Sequence, residues 1–61
     1  MTLAQQIMIA RKNLGITQNE LSIRLGMTKN QISNIERGLS NPKINTLEKI
    51  AKELSVSFII A

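Results

Sequence analysis

Five residue types are missing from this chain of 61: cysteine, histidine, aspartate, tryptophan and tyrosine. Their absence removes the thiolate and imidazole ligands of a zinc site, the thiol nucleophile, the imidazole base and any disulfide framework. Glu20, Glu36, Glu48 and Glu53 are the only carboxylate side chains, and each has a structural use, so no catalytic residue, metal ligand or cofactor is expected. Aromatics are reduced to Phe58 and proline to Pro42. The core must therefore be built from leucine, isoleucine, methionine and valine. No apolar run approaches the ~20 residues that span a bilayer. The opening MTLAQQIMIA has no basic residue ahead of its apolar positions and is broken by Gln5 and Gln6, unlike a signal peptide. A soluble, cytoplasmic protein with no membrane partner is the expectation.

What is present fits one small domain over residues 1–61. A chain of this size buries only about 60% of the surface its unfolded form exposes. With 43% hydrophobic residues and a mean hydropathy near zero it is nonetheless globular. Eight Lys and Arg against four Glu give a net charge of +4. That balance is compatible with nucleic acid, a membrane surface or solubility alone, and the placement of the cations must decide.

Helix starts repeat one device. Thr2 to Gln5, Thr17 to Glu20, Thr28 to Gln31 and Asn45 to Glu48 each place a capping side chain three residues before Gln or Glu. In this capping-box pattern two otherwise orphan backbone donors are satisfied reciprocally. Stops follow at Gly15, Gly26 and Gly38, each trailed by an apolar residue (Ile16, Met27, Leu39) that is expected to fold back after a left-handed glycine. Helices near 2 to 14, 17 to 25, 28 to 37 and 45 to 54 result. Their inner stripes are Leu3, Ile7, Ala10 and Leu14; Leu21 and Leu25; Ile32 and Ile35; and Leu47, Ile50, Ala51 and Leu54. Only Gly26 and Met27 separate Leu25 from Thr28, so the second and third helices must form a tight helix-turn-helix, with small Ser22 at their crossing. The fold class is all-α: a four- to five-helix bundle around a central helix-turn-helix.

The third helix raises the functional question, because only Ile32 and Ile35 are apolar in TKNQISNIERG. Lys29, Asn30, Ser33, Asn34 and Arg37 fall together on the opposite side, all donors and none acidic. A solvated face is the ordinary reading of a polar helix. Here the face joins amides with cations, belongs to the second helix of a tight helix-turn-helix, and is flanked by Lys43 and Lys12. Asn pairs bidentately with adenine and Lys donates to guanine when a helix carries them into the DNA major groove. Gln18 opens the preceding helix, where free N–H groups and the macrodipole attract a phosphate.

Arg11 falls between Ile7 and Leu14 on the inner side of the first helix and needs an acid. Glu20 and Glu48 are committed to caps and Glu53 to an outer face, which leaves Glu36 as its partner; an exposed Arg11 that snorkels is the plain alternative.

The run ITQNELSIRLGMTKNQISNIERGLSNPKINTLEKIAKELSVS closely resembles the helix-turn-helix of phage-repressor and Cro-like regulators. The shared pattern is a Thr-Gln start, a Leu-small pair, a turn glycine, an Ile-x-x-Ile-Glu-x-Gly third helix and a Leu-x-x-Ala-x-x-Leu close. The resemblance covers residues 7 to 57. It implies base reading by Lys29, Asn30 and Asn34, joined by Ser33 on the same face, and phosphate binding by Gln18 and the end of the third helix. Thr17, Thr28, Arg37, Asn41 and Lys43 complete the expected phosphate set. It also implies the Arg11–Glu36 ion pair. Met8, Ile9 and Ile23 depart from the pattern, being apolar where such regulators carry polar residues, and point to a partner surface.

The tail supplies a second candidate interface. Val56, Phe58 and Ile60 alternate with Ser55, Ser57 and Ile59, the period of a half-buried strand. Four residues after Ser57 are too few for a stable fifth helix, and a frayed terminus is the plain alternative. A short strand at Val56, Phe58, Ile59 and Ile60 could pair with its copy across a homodimer. The leading function is a sequence-specific repressor that binds double-stranded DNA at a palindromic operator as a homodimer. The alternative is an antitoxin that silences a toxic protein partner and represses its own operon.

Overall fold

Three threonines start three helices in the computed structural model, which describes residues 1–58. Thr2 Oγ1 accepts the Gln5 backbone N–H at 3.1 Å while Gln5 Oε1 accepts that of Thr2 at 2.9 Å. Thr17 and Glu20 make the same exchange at 3.0 and 3.2 Å, and Thr28 and Gln31 at 3.1 and 2.8 Å. The helices they open are α1 (Leu3–Asn13), α2 (Gln18–Leu25) and α3 (Lys29–Glu36).

The fourth, α4 (Ile44–Leu54), begins differently. Its N-cap is Lys43, and no side chain caps it. The Lys43 carbonyl already accepts the Leu47 N–H at 2.8 Å, so helical bonding is running before Asn45 is reached. Asn45 is thereby inside the helix, and the expected Asn45 to Glu48 box does not form. The elimination that set Glu48 aside as a cap residue thus loses that premise; Glu48 is exposed.

All four helices stop in one way. After α2, the Gly26 N–H donates to the Ile23 carbonyl at 3.3 Å and Met27 N–H to that of Ser22 at 2.9 Å, the paired bonds of a Schellman close. Gly26 sits at φ 67, where a Cβ would press on the following carbonyl. The same two bonds recur at Gly15/Ile16, Gly38/Leu39 and Ser55/Val56. Ser55, at φ 55, is the one non-glycine with positive φ among the described residues. The apolar follower packs inward only where the core is open to it. Ile16 is buried and Met27 half-buried, whereas Leu39 remains 66% exposed, against expectation, because it leads into the loop to α4.

Packing follows from one apolar anchor per helix. Ile7, Leu21, Ile32 and Ile50 come from α1, α2, α3 and α4 in turn and are the largest fully buried side chains. Burying each is worth about 1.5–3 kcal/mol relative to exposure. Ile16, Ile35, Leu47 and Leu54 complete the core, with Leu3, Ala10, Leu25, Met27 and Phe58 against it. Leu14, expected on the inner stripe of α1, is 47% exposed. It caps the helix rather than continuing it, and Ile16 takes the place it would have filled. Helices α2 and α3 pack most closely on each other, α3 also rests on α1, and α4 closes the bundle against α1 and α2. Ser22 is buried in α2, its hydroxyl donating to the Asn19 carbonyl at 2.6 Å.

Among the described residues there is no strand and no fifth helix. Residues 56–58 are irregular, and Phe58 packs half-buried against its own core instead of standing free. Ile59 and Ile60 of the expected tail strand lie outside the described residues. No helix of those described is long and apolar enough to cross a membrane.

Because left-handed backbone costs an L-residue about 1–2 kcal/mol, Ser55→Gly should raise unfolding stability by up to roughly 1 kcal/mol and Ser55→Val should lower it. Urea denaturation measures both. Identical midpoints for parent and both variants would contradict a left-handed close at Ser55.

Candidate nucleic-acid interface

Helix α3 divides its eight residues between two environments. Ile32, Ile35 and Glu36 are buried, whereas Lys29, Asn30 and Asn34 are exposed and Ser33 half-buried; Arg37, just past the helix, is exposed too. Gln31 is exposed but spends its carboxamide oxygen on the cap. No ion pair or hydrogen bond among the described residues engages the side chains of Lys29, Asn30, Ser33, Asn34 or Arg37. Five side chains with donor groups are thus presented on one open face with no acid among them. An α-helix bearing such a face fits the DNA major groove, where bidentate amides and cations meet base edges.

What holds this face in place is a buried ion pair. Arg11 Nε donates to Glu36 Oε2 at 2.7 Å and Arg11 Nη2 to Glu36 Oε1 at 2.9 Å, a two-pronged pairing of α1 with the last residue of α3. Arg11 Nη1 also donates to the Ile16 carbonyl at 2.8 Å, tying the α1–α2 turn to the same cation. Glu36 Oε1 accepts a third bond, from Gln18 Nε2 at 3.2 Å. The carboxylate is 2% exposed, yet no buried side-chain nitrogen or oxygen among the described residues lacks a partner. The Glu36 hydrogen bond raises the Arg11 pKa above its ordinary value, with desolvation opposing and the Glu36 charge assisting. A raised cation contributes stability that is fully present below its unfolded value and is lost only as pH climbs through the folded one. Arg11 therefore stays charged throughout the neutral range.

The residues expected to meet phosphates occupy three places. Thr17 and Gln18 stand at the start of α2 and Thr28 at the start of α3; Arg37, Asn41 and Lys43 lie along the connection from α3 to α4. All are exposed except Gln18, which is half-buried beside Glu36. The Thr17 and Thr28 hydroxyls accept backbone N–H groups and keep their own protons to donate outward. Arg37 and Asn41 line one recess with Thr2 and Gln5 of the α1 start, while Lys43 sits apart from it at the uncapped start of α4. Reasoning along the sequence missed the bond from Gln18 to Glu36 and that from Arg11 to Ile16. Neither has a local signature, since 18 residues separate the first pair.

The outer surface of α1 meets the tail in an apolar groove of about 330 Å³, lined in part by Ile9, Leu14, Val56 and Phe58. It shares no residue with the α3 face. Ile9 and Ile23 are exposed, Ile23 to 71%, but Met8, grouped with them from sequence, is half-buried.

Two helices joined by a glycine turn, the second carrying an open donor face and fixed from behind by its neighbours, constitute a helix-turn-helix unit. The chain belongs to the helix-turn-helix family, whose pattern it matches over residues 7–60, in the phage-repressor and Cro-like manner. It is 37% identical over 59 residues to an uncharacterised HTH-type transcriptional regulator of Sinorhizobium fredii, y4dL, covering 97% of this chain and 30% of that protein. It is 41% identical over 56 residues to the HTH-type transcriptional regulator SinR of Bacillus subtilis, covering 90% and 50%. To the immunity repressor protein of Bacillus phage phi105 it is 34% identical over 56 residues, covering 92% and 39%. The chain thus spans half or less of the length of these relatives. No solved structure matches it.

Removing one member of a buried ion pair typically costs about 3–5 kcal/mol, because the other is stranded, whereas exchanging both for apolar residues is often neutral. Arg11→Met should therefore lose stability on that order, and Arg11→Met with Glu36→Met should recover most of it. Thermal melts of the three proteins check this, and an Arg11→Met variant that melts with the parent would contradict the pairing.

Proposed function

We propose that this chain is the DNA-binding unit of a transcriptional repressor that reads a palindromic operator as a homodimer. The observation that carries the reading is the open, acid-free face of α3. Lys29, Asn30, Ser33 and Asn34 face base edges, while Thr17, Gln18, Thr28, Arg37, Asn41 and Lys43 hold the flanking phosphates. The net charge of +4 supplies the sequence-independent attraction.

One eight-residue helix covers few base pairs, and a second copy related by a two-fold axis doubles the readout. The Cα extents of 28 × 22 × 19 Å are compatible with two domains side by side whose α3 helices repeat at about one DNA turn, ~34 Å. The surface favoured for pairing is the groove of Ile9, Leu14 and Val56 with the adjoining tail. Being separate from the α3 face, it leaves that face free while a protein partner is bound. The same separation supports the second reading, an antitoxin that holds a toxin on the groove and DNA on α3. A toxin encoded in the adjacent reading frame would favour it.

Base and phosphate contacts respond differently to mutation. Asn30→Ala should lose roughly 1–3 kcal/mol of discrimination between selected and random DNA. Lys43→Ala should weaken binding to all sequences alike and reduce the salt slope by about 1. Affinity selection from a random pool, followed by titrations at several salt concentrations, measures both. Equal losses on selected and random DNA for both variants would contradict this division. For the dimer, sedimentation equilibrium at micromolar concentration should give twice the chain mass for the parent and the single mass for Ile9→Glu with Val56→Glu. A variant that remains dimeric would remove the groove as the joint.

A further inference from the structure

The half-buried carboxamide of Gln18 has a fixed orientation. Its Nε2 donates to Glu36 Oε1, an oxygen that also accepts Arg11 Nη2. Were the amide turned over, Oε1 of Gln18 would face a carboxylate oxygen, two acceptors with no proton between them. The Glu36 carboxylate, held in its two-pronged pairing with Arg11, thus permits one of the two amide orientations. Nitrogen Nε2 carries a second hydrogen, which no bond among the described residues uses. Gln18 is the first residue of α2, where the N–H groups of the opening turn and the positive end of the helix also lie.

We propose that Glu36 is a positioning residue for DNA binding: it sets the Gln18 carboxamide so that the remaining Nε2–H faces a backbone phosphate at the start of α2. Glu36 itself touches no DNA. The role rests on the reading that Gln18 meets a phosphate, and it adds a second consequence to the ion pair. Arg11 and Glu36 fix α3 against α1, and through Gln18 they place a phosphate donor on α2. The depth of α3 in the groove and the backbone contact of α2 are then set from one buried carboxylate. Without it the carboxamide is free to present its oxygen, which a phosphate repels.

The experiment is a double-mutant cycle read on binding of the full chain to a short mixed-sequence duplex at low salt, since a phosphate contact needs no particular sequence. In the parent, Gln18→Ala should weaken binding about tenfold, the size of one hydrogen bond to a charged acceptor. The salt slope should not change, because no cation is lost. In a background of Arg11→Met with Glu36→Met, neutral in net charge, Gln18→Ala should cost less than threefold. A purely structural role for the pair would weaken binding in that background yet leave the Gln18→Ala ratio unchanged at about tenfold, and that result overturns the proposal alone. No effect of Gln18→Ala in the parent overturns it together with the phosphate reading. Should the double background not fold, the side-chain amide resonances of Gln18 in the parent decide. Slow rotation about the amide bond keeps the two Nε2 proton lines apart, so a DNA-induced shift of chiefly one of them supports the fixed orientation; two lines that move alike, or no response to DNA, contradict it.

Discussion

The buried pairing of Arg11 with Glu36 is the constraint on which the arrangement of this domain depends. Helix α3 has only Ile32 and Ile35 as apolar anchors, too narrow a stripe to fix both its rotation and its position along the bundle. The two-pronged bond adds direction, because a guanidinium meets a carboxylate in few geometries. It joins the last residue of α3 to the last full turn of α1, and the bond to the Ile16 carbonyl fixes the chain that enters α2. Apolar packing alone would bury the same area and leave α3 freer to rotate about its axis.

That geometry leaves the other side of α3 open, as the proposed recognition role requires. A helix with five donor side chains facing outward gains little from its own burial, so its stability is borrowed from its ends and its neighbours. The Thr28–Gln31 box satisfies its start and the Gly38 close its finish, each a matter of about 1 kcal/mol. The remaining support comes from α2 and α1 behind it. Polar surface in front and a charged clamp behind are two parts of one arrangement.

Most of this was legible in the chain because it is encoded locally. Three capping boxes and three closing glycines are each contained within a few residues, and they mark helix limits to within one or two positions. The fourth box misled because Asn45 to Glu48 has the right spacing but Lys43 already accepts the first helical bond. Leu14 misled because periodicity continues on paper past the point where a helix has turned off. The left-handed close at Ser55 has no sequence signal, because a serine does not announce positive φ as a glycine does. On α3 the donor face could be read from spacing alone. The Arg11–Glu36 pairing came from elimination and family resemblance. The third bond on that carboxylate, from Gln18, joins residues that only the folded turn brings together, and no spacing rule reports it.

The central claim, that the open side of α3 is a DNA-reading surface held from behind, is tested most directly by backbone amide NMR of the full chain as a duplex selected from a random pool is added. The expected result is a set of shifts at Lys29, Asn30, Ser33 and Asn34, at Thr17 and Gln18, and along Arg37 to Lys43, with Lys49, Lys52 and Glu53 of α4 unmoved. Shifts concentrated on Ile9, Leu14 and Val56 while the α3 face stays unchanged would contradict it.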